Sequence, residues 1–131
     1  MLRHLLIRLF LILLGYGLAT IASGVFVGVI FTFAEKTMAS EVPGIIAFAI
    51  VLIGIYAAAP ALVTVAIGEV ASIRRRLYYI AAATLIGMVL PVLVGLDHWY
   101  ILVGLGFGPV AGMIYWVIAG RNAGLRGPPP A

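Results

Sequence analysis

Apolar residues run along this chain in four long stretches, and the polar and charged residues gather between them. The stretches cover about residues 9–33, 45–67, 77–95 and 100–119. Each is continuous, without the in–out alternation of a barrel strand, so the pattern predicts helices. A hydrocarbon layer ~30 Å thick takes about 20 residues at 1.5 Å rise per residue, and every stretch is near or beyond that length. The fold class expected is therefore all-α integral membrane: a four-transmembrane-helix bundle, a single domain over residues 1–127. Leu96-Asp97-His98 is a very tight connection that folds spans three and four into an antiparallel hairpin. Spans one and two make the second hairpin, joined through Ala34–Gly44, which closes on Pro43-Gly44. After Gly127 the Pro-rich tail, 128–131, is too short to fold and is expected to be extended.

The charges orient this pattern. Arg3 and Arg8 precede the first span, Arg74, Arg75 and Arg76 separate the second and third, and Arg121 and Arg126 follow the fourth. The alternate ends carry Lys36 with Glu35 and Glu41, then Asp97 with His98. Basic residues in short loops stay in the cytoplasm, so the expected topology is N-in/C-in. Near anionic headgroups each basic residue contributes about 1 kcal/mol, which makes Arg74, Arg75, Arg76 and Arg121 candidate lipid-headgroup contacts and accounts for the net charge of +4 without nucleic acid. The N-terminus resembles a signal peptide, but its apolar run continues through Val25–Phe31, too far for a 7–15-residue signal core; an uncleaved first span is expected.

Composition narrows the function. Hydrophobic residues make up 65% and charged residues 9%, against ~45–50% and ~25% in soluble domains. Four spans use most of the 131 residues, leaving no room among them for a soluble catalytic domain. With no cysteine, disulfide, thiol and thiolate-metal chemistry are excluded. No ionisable residue falls in the middle of a span, and His4 and His98 lie at opposite ends of the pattern, so no catalytic, cofactor or metal set is expected. Glu69, at the inner end of span two, reads as a partner for Arg74–Arg76 or for headgroups, or alternatively as a functional carboxylate. Thr64, Thr84, Tyr56, Tyr16 and Tyr115 read as hydroxyls satisfied by packing, or alternatively as the lining of a small polar cavity. Trp99 and Tyr100 at the outer face, and Tyr78, Tyr79 and Trp116 at the inner, fit aromatic belts.

Small residues recur at helix-face spacing. Gly104, Gly108 and Gly112 follow one another every four residues, as do Thr20, Gly24, Gly28 and Thr32. Lipid gives helices no hydrophobic reason to associate, so close backbone approach at such grooves must hold them together. Gly24, Gly28, Gly104, Gly108 and Gly112 are thus expected at helix contacts, within the bundle or at the seam of a homo-oligomer or larger membrane complex. Pro60, Pro91 and Pro109 each delete a helix hydrogen bond. Pro60 and Pro109 lie at similar depth in similarly oriented helices, which makes them candidate hinges and fits two parallel hairpins related by an axis along the membrane normal.

The stretch Gly112-Met113-Ile114-Tyr115-Trp116-Val117-Ile118-Ala119-Gly120-Arg121-Asn122-Ala123-Gly124 resembles the C-terminal end of a family of small, uncharacterised bacterial inner-membrane proteins. The shared features are a Tyr-Trp pair, then Ala-Gly-Arg and a trailing Ala-Gly. The resemblance implies a bacterial inner (plasma) membrane, multi-pass, and brings no activity with it. Size and span count are also those of small multidrug-resistance transporters, but the first span here lacks their embedded glutamate, and the one-sided arginines oppose dual insertion. The function expected is a non-enzymatic accessory or structural subunit, or a self-associating bundle, with membrane lipids as neighbours. The alternative is a small transporter or channel with a proline-kinked path.

Overall fold

A computed structural model describes residues 1–124; Arg126 and the tail expected at 128–131 lie outside the described residues. All regular structure among those residues is helical: α1 (Leu2–Ala34), a 3-10 turn (Ala39–Glu41), α2 (Val42–Val70), α3 (Arg76–Leu93), α4 (Trp99–Ile118) and a closing 3-10 turn (Gly120–Asn122). All four α-helices are long and apolar enough to cross a membrane. Helix α1 starts seven residues before the expected span. Hydropathy marks the length that lipid can bury, whereas Arg3 and Arg8 are good helix formers and let the helix run on. Helix α2 opens with Pro43 in its first turn, where the missing N–H would have been unpaired anyway. The chain stays helical through Pro60, Pro91 and Pro109.

Three helices stop in the same way. Lys36, Ser72 and Gly95 take positive φ of 51°, 53° and 72° just past the ends of α1, α2 and α3. The next amide then reaches back five residues: Thr37 to the Thr32 carbonyl at 3.2 Å, Ile73 to Gly68 at 2.8 Å and Leu96 to Pro91 at 2.9 Å. These left-handed caps satisfy carbonyls that the helix leaves open and reverse the chain within a few residues.

Small residues decide how the helices meet. Gly87 of α3 and Gly104 of α4 lie backbone to backbone: a Cβ on Gly87 would fall 2.8 Å from the Gly104 carbonyl oxygen. Further along the same seam, Cβ atoms on Gly108 and Gly112 would strike the α3 backbone at Thr84 and at Tyr79–Ile80. Helix α1 meets α2 through Gly24 and Gly28, whose added Cβ atoms would lie 2.7 Å from the Ile50 Cα and 2.9 Å from the Ile46 Cα. Helix α1 also packs on α4, and of the neighbouring pairs α2 and α3 touch least. The order around the bundle is thus α2, α1, α4, α3, with a crevice between α2 and α3. Large apolar side chains such as Phe10, Phe48, Leu62, Leu85 and Leu102 point outward, more than half exposed. An outer surface this apolar is one that a hydrocarbon surround would match.

Candidate functional site

The bundle end that carries most of the arginines is closed by a buried ion pair. Glu69 lies one residue before the end of α2, where the helix dipole opposes a carboxylate, and it is 5% exposed. Its compensation comes from two distant parts of the chain. Arg8 of α1, also 5% exposed, pairs through Nη2 with Glu69 Oε1, while the Gly124 amide donates to Oε2 at 2.9 Å. The other terminal nitrogen of Arg8, Nη1, donates to the Ala119 carbonyl at 3.1 Å, at the negative end of α4. Among the described residues Arg8 Nε has no partner.

The segment after α4 is fastened by this pair. Ala119 and Ala123 are fully buried, and a Cβ on Gly120 would lie 2.8 Å from the Tyr79 ring. Gly124 adopts φ 135°, a conformation that L side chains resist, and this turns its amide toward Glu69. Arg74 Nε donates to the Ala123 carbonyl at 3.0 Å, and the Trp116 indole donates to the Arg74 carbonyl at 2.8 Å. Residues 119–124 therefore act as a latch joining the ends of α1, α2 and α4 to the α2–α3 loop. A buried pair of this kind contributes less to stability than its charges imply, because desolvation offsets the attraction; its clearer effect is to define one arrangement of the ends.

Two expectations from the sequence are corrected here. Glu69 does not pair with Arg74–Arg76 but with Arg8, 61 positions away in sequence, because α1 and α2 run antiparallel and bring those two ends together. Arg8 is correspondingly buried in protein instead of reaching outward. Of the four candidate headgroup residues, Arg75, Arg76 and Arg121 are exposed; Arg74 is exposed too, but its guanidinium and carbonyl both hold the latch. The belt reading also needs amending for Tyr79 and Tyr100, which are buried at 3% and 5%. Tyr79 donates to the Ile73 carbonyl at 3.0 Å, and Tyr100 stacks against Phe31.

Above the ion pair, a cavity of about 90 Å³ lies among all four helices, with Tyr16, Thr20, Ser23, Thr64, Tyr79 and Tyr115 in its wall. Most of these hydroxyls are engaged. Tyr16 donates to the Gly54 carbonyl at 2.7 Å, Ser23 to Ala19 at 2.8 Å and Thr64 to Pro60 at 3.0 Å, while Thr84 nearby donates to Ile80 at 2.7 Å. A second, wider cavity of about 360 Å³ opens between α2 and α3 toward the other end, lined by apolar side chains such as Val27, Phe48, Leu52 and Val103. The two share Ile53, Leu90 and Phe107. Of the candidate hinges, Pro60 is exposed and Pro109 half-buried. Among the described residues no three of His, Asp and Glu come together as metal ligands would. No protein-family model, curated protein or solved structure matches this chain.

Proposed function

We propose that this is a non-enzymatic, multi-span protein of a bacterial inner membrane, with both termini on the cytoplasmic side, working as an accessory or structural subunit or as a self-associating helix bundle. One observation carries the reading: the bundle's buried charges hold its own chain together. Both Glu69 oxygens and both terminal nitrogens of Arg8 bond within the protein, through three contacts, two of which tie the pair to the latch. A coupled carrier instead leaves an embedded charged group available to its substrate. The placing of Arg75, Arg76 and Arg121 on the exposed rim of that same end supports the cytoplasmic orientation through the retention of basic loops.

The second reading, a small transporter or channel, has one observation in its favour: the two cavities meet at Ile53, Leu90 and Phe107. Reconstitution separates the two. Sealed vesicles containing the purified protein are expected to leak protons, potassium and a small dye no faster than empty vesicles. Flux above that background, lost when Phe107 is replaced by Trp to fill the junction, would favour the transporter and overturn the structural reading.

A further inference from the structure

Tyr56 stands at the midpoint of α2, fourteen residues from either end, and is 48% exposed on the outer surface of the bundle. This is an unfavourable place for a phenol. Tyrosine suits the headgroup level, where its hydroxyl meets water; halfway across a span neither water nor an acyl chain accepts a hydrogen bond. The hydroxyls on either side of it are engaged, Tyr16 on Gly54 and Thr64 on Pro60, but Tyr56 donates to no group among the described residues.

The same turn also frees an acceptor. Pro60, one turn on and likewise exposed, has no N–H to give the Tyr56 carbonyl its usual helix bond. Tyr56 therefore combines an unpaired donor and an acceptor released by proline, on one outward face at mid-depth. Copies held in one orientation by their basic loops associate about an axis along the membrane normal, and at such an axis residue 56 meets residue 56 at equal depth. We infer that two copies of this chain pair through the exposed face of α2, each Tyr56 hydroxyl donating to the Tyr56 carbonyl of the other. A two-fold contact satisfies all four groups at once, which an acyl chain cannot do. The inference rests on the reading of the protein as a self-associating bundle of fixed orientation and names the surface involved.

The chain contains no cysteine, so a single introduced one reports proximity cleanly. In membranes, oxidation of Tyr56→Cys is expected to yield a covalent dimer, whereas Leu85→Cys, an exposed mid-span position on α3, stays monomeric. Tyr56→Phe removes both hydroxyls from the pair while keeping the ring, and should weaken dimerisation by roughly tenfold, as two modest interhelical bonds are lost. Pro60→Ala returns the amide to the carbonyl and should also weaken it. Energy-transfer titration in vesicles measures both, with an unchanged melting temperature showing that the bundle itself is intact. A monomer throughout, cross-linking at Leu85 as efficient as at Tyr56, or unaltered association of both variants overturns the inference. A monomer whose vesicles leak no faster than empty ones fails this inference and the self-associating form alone, leaving the accessory-subunit reading standing, whereas leakage above background fails the structural reading; the two failures are thus distinguishable.

Discussion

At the scale of single residues, Arg8 and Glu69 answer each other's cost. Either alone would leave a charge buried at 5% exposure, so Arg8→Ala or Glu69→Ala should destabilise the protein by roughly 3–5 kcal/mol. Replacing both with apolar residues of similar length, Arg8→Met with Glu69→Leu, should recover most of that loss, except for the bonds to the Ala119 carbonyl and the Gly124 amide. Thermal melting in detergent measures the three variants; a double variant as unstable as the sum of the singles would contradict the pairing. Arg74 differs from its neighbours for a related reason. Lysine supplies charge but no planar fork, so Arg74→Lys should lower stability by about 1 kcal/mol through its bond to Ala123, while Arg75→Lys and Arg76→Lys should change little. Ser72 offers a gain. It holds φ 53° in the cap of α2, where glycine carries no Cβ penalty, and Ser72→Gly should stabilise by up to about 1 kcal/mol in the same assay.

At the scale of elements, the α3–α4 hairpin depends on the missing side chains of one helix face. A side chain at Gly108 has no flexible neighbour to displace: it would meet the Thr84 Cα and, at 2.9 Å, the Thr84 nitrogen. Gly106 faces elsewhere, and a Cβ there would make ordinary contact with the tip of Phe26 at 3.5 Å. Gly108→Leu is therefore expected to force the hairpin apart and lower the melting temperature markedly. Gly106→Ala should be tolerated, and Gly106→Leu should cost less than Gly108→Leu because a phenyl ring can turn aside. Equal tolerance at both positions would falsify the seam. The four-residue spacing that made these glycines legible in the sequence works because i and i+4 share a helix face. That spacing does not reveal which helix lies opposite. Thr84 and Ile80 across the seam carry no matching signature, and Gly87 acquires its meaning only beside Gly104.

At the scale of the whole molecule, the proposed orientation has a direct test. Reporter fusions after Gly44 and Asp97 should read as outside the cytoplasm, and fusions after Arg76 and Arg126 as inside; any exchanged pair rejects N-in/C-in. The number of helices and their approximate limits could be read from the chain alone, because each apolar stretch is longer than a soluble element needs and contiguous in sequence. Backbone groups in a long apolar stretch are best paired within one helix, and this holds even through the glycines and Pro60, Pro91 and Pro109, so tertiary contacts had little to overrule. The pairing of Glu69 was not legible in that way. Among the described residues it is the only carboxylate near the arginine-rich end, which signals that it has a basic partner, yet six described arginines at that end compete for it. Choosing Arg8 requires that α1 and α2 lie side by side and that the α2–α3 loop turn Arg74 toward Ala123, and both are outcomes of packing. Likewise, Tyr79 and Tyr100 look like interface aromatics from their positions alone, and only the neighbouring helices bury them. Sequence by itself determined what is local or summed along the chain: helix, an apolar length sufficient to cross a membrane, and the bias of charge. Tertiary structure alone decided which distant groups meet, because a buried charge or hydroxyl is governed by partners that sequence separation does not predict.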